Sequence, residues 1–325
     1  VFGAAAWLLL PRQTPLSLMP VESTTVDNGD PQQAIQPLQV PPGLIPARVS
    51  LGERLFHDAR LSVDFSLACA SCHPLDRGGA DGRRVSLGVG GALGGINAPT
   101  VLNSGYNMVQ FWDGRAATLE EQAAGPIHNP LEMGSNWTQV LARLAQDEAL
   151  RTEFLQVYPD GLNAANVANA LASFERSLVT PNSRFDRFLK GDERALSEIE
   201  QEGYRQFSRY GCTSCHQGSL LGGNMYQKFG VLGDYFAGRP LTRDDFGRFN
   251  VTGREEDKHV FKVPSLRNVA RTAPYFHDGS AETLEQAVVV MGRYQLGRDL
   301  SEADINAIVA FLKTLDGDLP RASGT

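Results

Sequence analysis

The sequence predicts a mainly α-helical chain in which one module occurs twice in tandem, with long glycine-rich loops. Three observations carry this. Several stretches place apolar residues at helical spacing, a ten-residue segment recurs further along, and all four cysteines fall in two pairs of identical spacing. The 325 residues include 30 basic and 37 acidic side chains, a net charge of −7, with 42% hydrophobic and 21% charged residues. This is the composition of a globular protein of one large or two ordinary domains, and it excludes a disordered chain. Without a basic excess, nucleic-acid binding is excluded as well. Four cysteines are too few for a disulfide scaffold.

Residues 1–10, VFGAAAWLLL, are apolar but too few to span a bilayer as a helix, which takes about 20 residues. They read as an export segment or the remnant of a membrane anchor. Residues 11–47 hold 8 of the 18 prolines. Proline fixes φ and lacks the amide donor, so this stretch reads as an extended tether. The first folded domain is expected over 48–180, the second over 181–320, and a short tail over 321–325. Helical periodicity runs over 138–158 (Val140, Leu141, Leu144, Leu150, Phe154, Leu155) and 164–179 (Val167, Ala170, Leu171, Phe174, Leu178). It recurs over 196–210 and 301–315. Ser301 and Asp304 have the spacing of a capping box, and Gly317 is placed to stop that last helix. No long alternating run predicts a sheet. Glycine-rich loops are expected over 78–95 and 222–253.

The repeat is specific. FWDGRAATLE at 111–120 resembles FHDGSAETLE at 276–285, an offset of 276 − 111 = 165. The same offset pairs Pro99 with Pro264, Thr100 with Ser265 and Asn103 with Asn268. The cysteine pairs are offset by 212 − 69 = 143, so the second copy carries 22 more residues between its cysteines and the shared segment. Two copies of one helical module explain this order.

Cys69-Ala-Ser-Cys72-His73 and Cys212-Thr-Ser-Cys215-His216 both read Cys-x-x-Cys-His, the attachment pattern of c-type haem. The two thiols add to the porphyrin vinyl groups, and the adjacent histidine ligates the iron. A redox dithiol and a zinc site built from both pairs are the alternatives. The fold class that follows is mainly α, two cytochrome c-like domains in tandem, each around one covalently bound haem, with long loops.

The two halves differ on the far side of the iron. In the second copy, Met291 ends a helix expected over 283–291, and a Met/His pair makes an electron-transfer haem. A core methionine is the plainer reading of the same residue. The 165 offset maps Met291 onto Pro126, which cannot ligate iron. The asymmetry predicts an electron-transfer haem beside an open, reactive one. Near Pro126 lie Gln122, His128 and Glu132. A carboxylate above an open haem moves a proton between the two oxygens of a peroxide, and an amide steadies the developing charge. For each of these residues a surface polar role is the plainer reading.

The chain from about 51 to 317 resembles the bacterial di-haem cytochrome c peroxidases, the superfamily that also contains MauG. The shared motifs are NAPTVLN at 97–103, QFWDGR at 110–115, Gly125-Pro126 with Glu132-Met133, VPSLRN at 263–268, TAPYFH at 272–277 and Val290-Met-Gly292. The resemblance implies that His73 is proximal to the peroxidatic haem, with Glu132 and Gln122 as its distal acid–base pair. It implies that Trp112 relays electrons between the haems and that His216 and Met291 ligate the high-potential one. A calcium ion held by Asn97 and the backbone oxygens of Thr272 and Pro274 is also implied. His277 matches a residue near a haem edge rather than an axial ligand. Many of these peroxidases carry a histidine in a Gly-His-Gly loop that blocks the reactive iron until the other haem is reduced. Here the loop reads SLGVGG at 86–91, and Val89 stands at that position. The first haem is therefore expected to be open without reductive activation.

Two enzyme readings follow. In one, hydrogen peroxide is reduced with electrons from a small cytochrome c or a cupredoxin. In the other, MauG-type, peroxide equivalents oxidise side chains such as tryptophan of a partner protein. A third reading, a pure di-haem electron carrier, predicts two six-coordinate haems. All place the protein in the periplasm, where c-type haem is attached, with N-terminal membrane attachment and a homodimer both compatible with the resemblance. His57 and His259 are read as ordinary polar residues.

Overall fold

The computed structural model describes residues 34–320; the expected export segment and tail lie outside them. The described chain is helical, as the periodicity predicts, and its helices form two similar sets. The first half contains α1 (Pro46–Phe56), α2 (Cys69–Cys72), α3 (Leu119–His128), α4 (Trp137–Leu144), α5 (Glu148–Val157) and α6 (Ala164–Ser177). The second contains α7 (Arg184–Leu189), α8 (Glu198–Arg209), α9 (Phe249–Thr252), α10 (Leu284–Val290) and α11 (Glu302–Leu312). Two three-residue strands, β1 (Tyr226–Lys228) in the second glycine-rich loop and β2 (Val260–Lys262) beyond it, pair antiparallel, with Tyr226 opposite Lys262.

Side-chain caps set most helix starts. Thr118, Asn136, Asp147, Asn163, Thr283 and Ser301 each accept a backbone N–H from the first turn of the helix that follows. One of these caps breaks the helix expected over 138–158 into α4 and α5. Asp147 accepts the amide of Leu150 at 3.0 Å while Arg54 and Arg60 hold its other oxygen. At α11, Ser301 caps Asp304, but the Asp304 carboxylate turns to Tyr210 (2.9 Å) rather than back to the Ser301 amide. The reciprocal half of the expected capping box is therefore missing. Gly317 does not stop a helix by turning left-handed. A Cβ there would overlap the carbonyl of Thr180, so its role is close approach.

Each half is organised by one helix crossing. A Cβ on Gly52 of α1 would overlap the Ala170 carbonyl of α6 and lie 2.8 Å from the Phe174 Cβ. A Cβ on Gly203 of α8 would meet Ala307 and Phe311 of α11 in the same way. Separate apolar cores grow around the two crossings, Leu51, Leu55, Phe154 and Leu171 in the first, Phe185, Phe207, Ile308 and Phe311 in the second. The repeat found in sequence is repeated in backbone. Asn103 and Asn268 both adopt φ near +60°, as do Phe111 and Phe276.

The halves meet at one hydroxyl. Asn103 and Asn268 each donate a side-chain N–H to Oγ1 of the fully buried Thr180, at 2.9 and 2.8 Å. The proline-rich segment is not wholly a free tether. Ile35 and Leu38 are 2% and 1% exposed, Ile35 in the second core and Leu38 against Val179 and Leu220. Arg267 holds this strap. It pairs with Asp186 at 2.8 Å, both wholly buried, and donates to the Gln36 carbonyl, while Leu38 donates to the same carboxylate.

Gly52→Ala is expected to destabilise the protein by about 1–3 kcal/mol, because backbone on both sides leaves the methyl no room. Chemical denaturation of the haem-loaded protein measures this, and Gly203→Ala should behave alike.

Candidate di-haem site

Both histidines of the attachment motifs are held in the same way. Nδ1 of His73 lies 3.0 Å from the carbonyl of Gly79, and Nδ1 of His216 lies 2.9 Å from that of Leu221. A carbonyl only accepts, so Nδ1 carries the hydrogen and Nε2 is left with its lone pair, the arrangement of a metal-ligating imidazole. Burial lowers the pKa of both rings and keeps them neutral. Burial also pushes the thiols of Cys69 and Cys212 up, to about 12 and about 11. A redox dithiol needs a lowered pKa, so that alternative fails. The zinc alternative fails on placement. Among the described residues, the only group of three or more His, Cys, Asp or Glu at ligand spacing is Asp245, His277 and Asp278, with no cysteine.

The second motif opens on a cavity of about 250 Å³ lined by Cys212, Cys215, His216, Leu284, Val288 and Leu312. Met291 lines it too, where α10 passes into a π turn over Met291–Gln295. Lys262 of β2 also borders it, 7% exposed, and sequence reasoning missed it. Burial alone drives its pKa down to about 8, with no acidic partner opposing the shift. A buried ammonium without an anion is costly. The two carboxylates of a haem are the anions such a cavity would receive, so the donor set and this orphaned cation both fit the group.

Trp112 belongs to the first half yet lines the cavity of the second. Its Nε1 donates to the Asn97 carbonyl (2.9 Å) and its own carbonyl accepts from the Lys262 amide (2.8 Å). Asn97, Thr272 and Pro274 border the same cavity. The Asn97 side-chain N–H is taken by the Arg83 carbonyl (2.8 Å). His277 is buried beside it, stacked on Phe261 at 4.5 Å. Its Nε2 meets Asp245 at 2.9 Å. Arg239 pairs with both Asp278 and Asp245, which explains that acidic cluster without a metal.

Beside the first motif, the loop carrying Val89 lies on the turn carrying Glu132. The Val89 amide donates to the Glu132 carbonyl at 2.8 Å, and a Cβ on Gly88 would overlap the Leu131 carbonyl. The Glu132 carboxylate accepts from Asn129 Nδ2 at 2.6 Å. Burial raises its pKa, against the opposing pull of Asn129 and Arg115, and its charge reaches the Cys72 thiol. Gln122 is half-buried on α3. His128 is exposed against Trp137, its ring 5.8 Å away, and His57 is exposed as well. His259 stacks on Phe236 at 4.0 Å.

Two helical domains, each with a neutral buried histidine behind a Cys-x-x-Cys pair, define a tandem c-type haem protein. The comparisons narrow the class. The family model for di-haem cytochrome c peroxidase matches residues 46–194. The chain is 50% identical to cytochrome c peroxidase Ccp of Escherichia coli over 88% of its length, spanning 62% of that protein. It is 48% identical to cytochrome c551 peroxidase of Nitrosomonas europaea, covering 93% of this chain and 85% of that one. The solved structure of a MauG-like protein associated with microbial copper homeostasis superposes with a TM-score of 0.77 at 31% identity, covering 89% and 95% of the two chains. The chain belongs to the di-haem cytochrome c peroxidase family, and its two attachment motifs give it two c-type haems. No helix among the described residues is long and apolar enough to cross a membrane.

Lys262→Met is expected to lower the reduction potential of the second haem by roughly 60 mV, a tenfold change for a one-electron couple. A cation near the iron favours the reduced form. Potentiometric titration reads the effect, and an unchanged potential would place the ammonium outside the cavity.

Proposed function

We propose that the protein reduces hydrogen peroxide at its first haem, with electrons passed from the second. The observation that carries this reading is the half-buried Glu132, whose backbone carbonyl accepts from the amide of Val89, the valine standing in the loop where many of these peroxidases carry a ligand. When bound, the first haem supplies the iron that takes peroxide and the second supplies stored electrons. His73 holds the first iron through Nε2, with Nδ1 fixed by Gly79. Glu132 takes the proton from one peroxide oxygen and returns it to the other. Its raised pKa suits both steps, since a carboxylate that is too acidic returns a proton poorly. The Gln122 amide steadies the departing oxygen. Trp112, fixed at both its indole N–H and its carbonyl, offers an aromatic path into the second cavity. His216 and Met291 hold the second iron, and a thioether ligand favours its reduced state.

Asn97, Thr272 and Pro274 all line the second cavity, and an amide oxygen with two backbone carbonyls is a hard donor set that suits calcium between the halves. The electron donor is a small c-type cytochrome, in keeping with the names of the relatives at 50% and 48% identity, or a cupredoxin in its place. The reaction takes place outside the cytoplasm, where c-type haem is attached. Val89 leaves the first iron accessible without prior reduction of the second.

A MauG-type reading, oxidation of a partner protein, draws on Val89 and on the likeness to the MauG-like structure. Met291 and the higher identity to the peroxidases favour peroxide reduction. Mixing the fully oxidised protein with peroxide separates the two. Fast oxidation of reduced cytochrome c without partner modification is expected, and modification of a partner without cytochrome turnover would reverse the order.

Glu132→Gln should slow peroxide cleavage by about 10²–10⁴-fold in stopped-flow mixing. The base form is the carboxylate, so the wild-type rate should fall as pH drops through a pKa above the usual carboxylate range, and the Gln variant should lose that limb. Val89→His is expected to convert the high-spin ferric signal of the first haem to low-spin in paramagnetic resonance. The variant should then need pre-reduction for activity.

A further inference from the structure

One buried acid of the first half takes no part in the chemistry above. Glu175 of α6 is 6% exposed, and no described residue hydrogen-bonds its carboxyl. Its charge acts on the thiol of Cys69, the first link of the first attachment motif.

The duplication says where this carboxyl lies. The crossing residues Ala170 and Phe174 correspond to Ala307 and Phe311, an offset of 137. The same offset carries Glu175 to 175 + 137 = 312, which is Leu312. Leu312 lines the second cavity together with Cys212 and His216. The two halves thus put an acid and a leucine at one and the same place beside their attachment cysteines.

The surroundings of Glu175 are sparse in charge. Glu120 of α3 opposes its ionisation and Arg176 of α6 favours it, but these two are tied to each other by a two-pronged pair at 2.7 and 2.8 Å. The Cys69 proton is lost when the thioether forms. At the crossing, α1 presents Gly52, and Phe56 against Phe174. The turn over Ser104–Tyr106 presents Gly105 to Arg176. Burial dominates, and it pushes the pKa of Glu175 up to about 8.

We propose that Glu175 is a positioning residue of the first haem that couples its reduction to uptake of one proton, through a carboxyl that the second half, with Leu312 in its place, lacks. A carboxylate beside the thioether edge favours ferric iron, whose extra positive charge it faces. When the iron takes one electron, that charge is gone, and the carboxyl takes one proton from solvent. The inference rests on haem attachment at Cys69 and Cys72, and not on which distal residues act.

The test is a spectroelectrochemical titration of the haem-loaded protein from about pH 6 to about pH 10, bracketing a carboxyl raised by burial, with each haem followed separately. The potential of the first haem should fall as pH rises through about 8. The reduction equilibrium should change by up to tenfold per pH unit, about 59 mV for one electron. In Glu175→Gln that dependence should disappear and the curve of the second haem should stay as in the wild type. Glu175→Leu, which copies the second half, should give the same flat profile and serves if the Gln variant folds poorly. An unaltered pH dependence in either variant, or a change confined to the second haem, would overturn the proposal.

Discussion

The fold depends on two places where helix backbone meets helix backbone with nothing in between. Gly52 against Ala170 and Gly203 against Ala307 let α1 cross α6, and α8 cross α11, closer than any side chain would permit. The aromatic ring one turn further on, Phe174 or Phe311, then fills the space beside the crossing. Each crossing is the wall on which an apolar core and an attachment motif are built. Interiors are close-packed, so a wall set this tightly fixes what lies against it.

On identical walls the two halves place different charges. The second cavity is lined by Met291 and by the buried lysine Lys262. Beside the first motif stand the carboxyls of Glu132 and Glu175, each raised by burial. The two attachment motifs are thus set among different charges, a buried cation in the second half and two acids in the first.

Buried polar contacts hold the two halves together. Asn103 and Asn268, equivalent in the repeat, converge on the single hydroxyl of Thr180, and Gly317 lies against the carbonyl of the same residue. The strap of residues 34–40 crosses nearby, tied by Arg267 and Asp186 on one side and by the Tyr106 hydroxyl on the Gln39 carbonyl on the other. Both contacts are buried polar interactions, whose loss costs more than their formation gains. Trp112 sits at the same boundary, its indole bonded to Asn97 within the first half and its carbonyl to the Lys262 amide of the second.

The sequence by itself determined the helical class, the duplication and the two haem attachment sites. These are local or periodic signals, readable wherever spacing alone dictates the chemistry. The tertiary structure decided what depends on contacts between distant residues. It split 138–158 at Asp147, because two arginines from α1 and its neighbouring turn hold that carboxylate as a cap. It turned Gly317 from a helix stop into a point of close approach, and drew part of a proline-rich tether into the core. It also exposed Lys262 and Glu175, which look like surface charges in a linear reading. Burial is a property of the folded chain, and only burial makes a lone lysine or glutamate consequential.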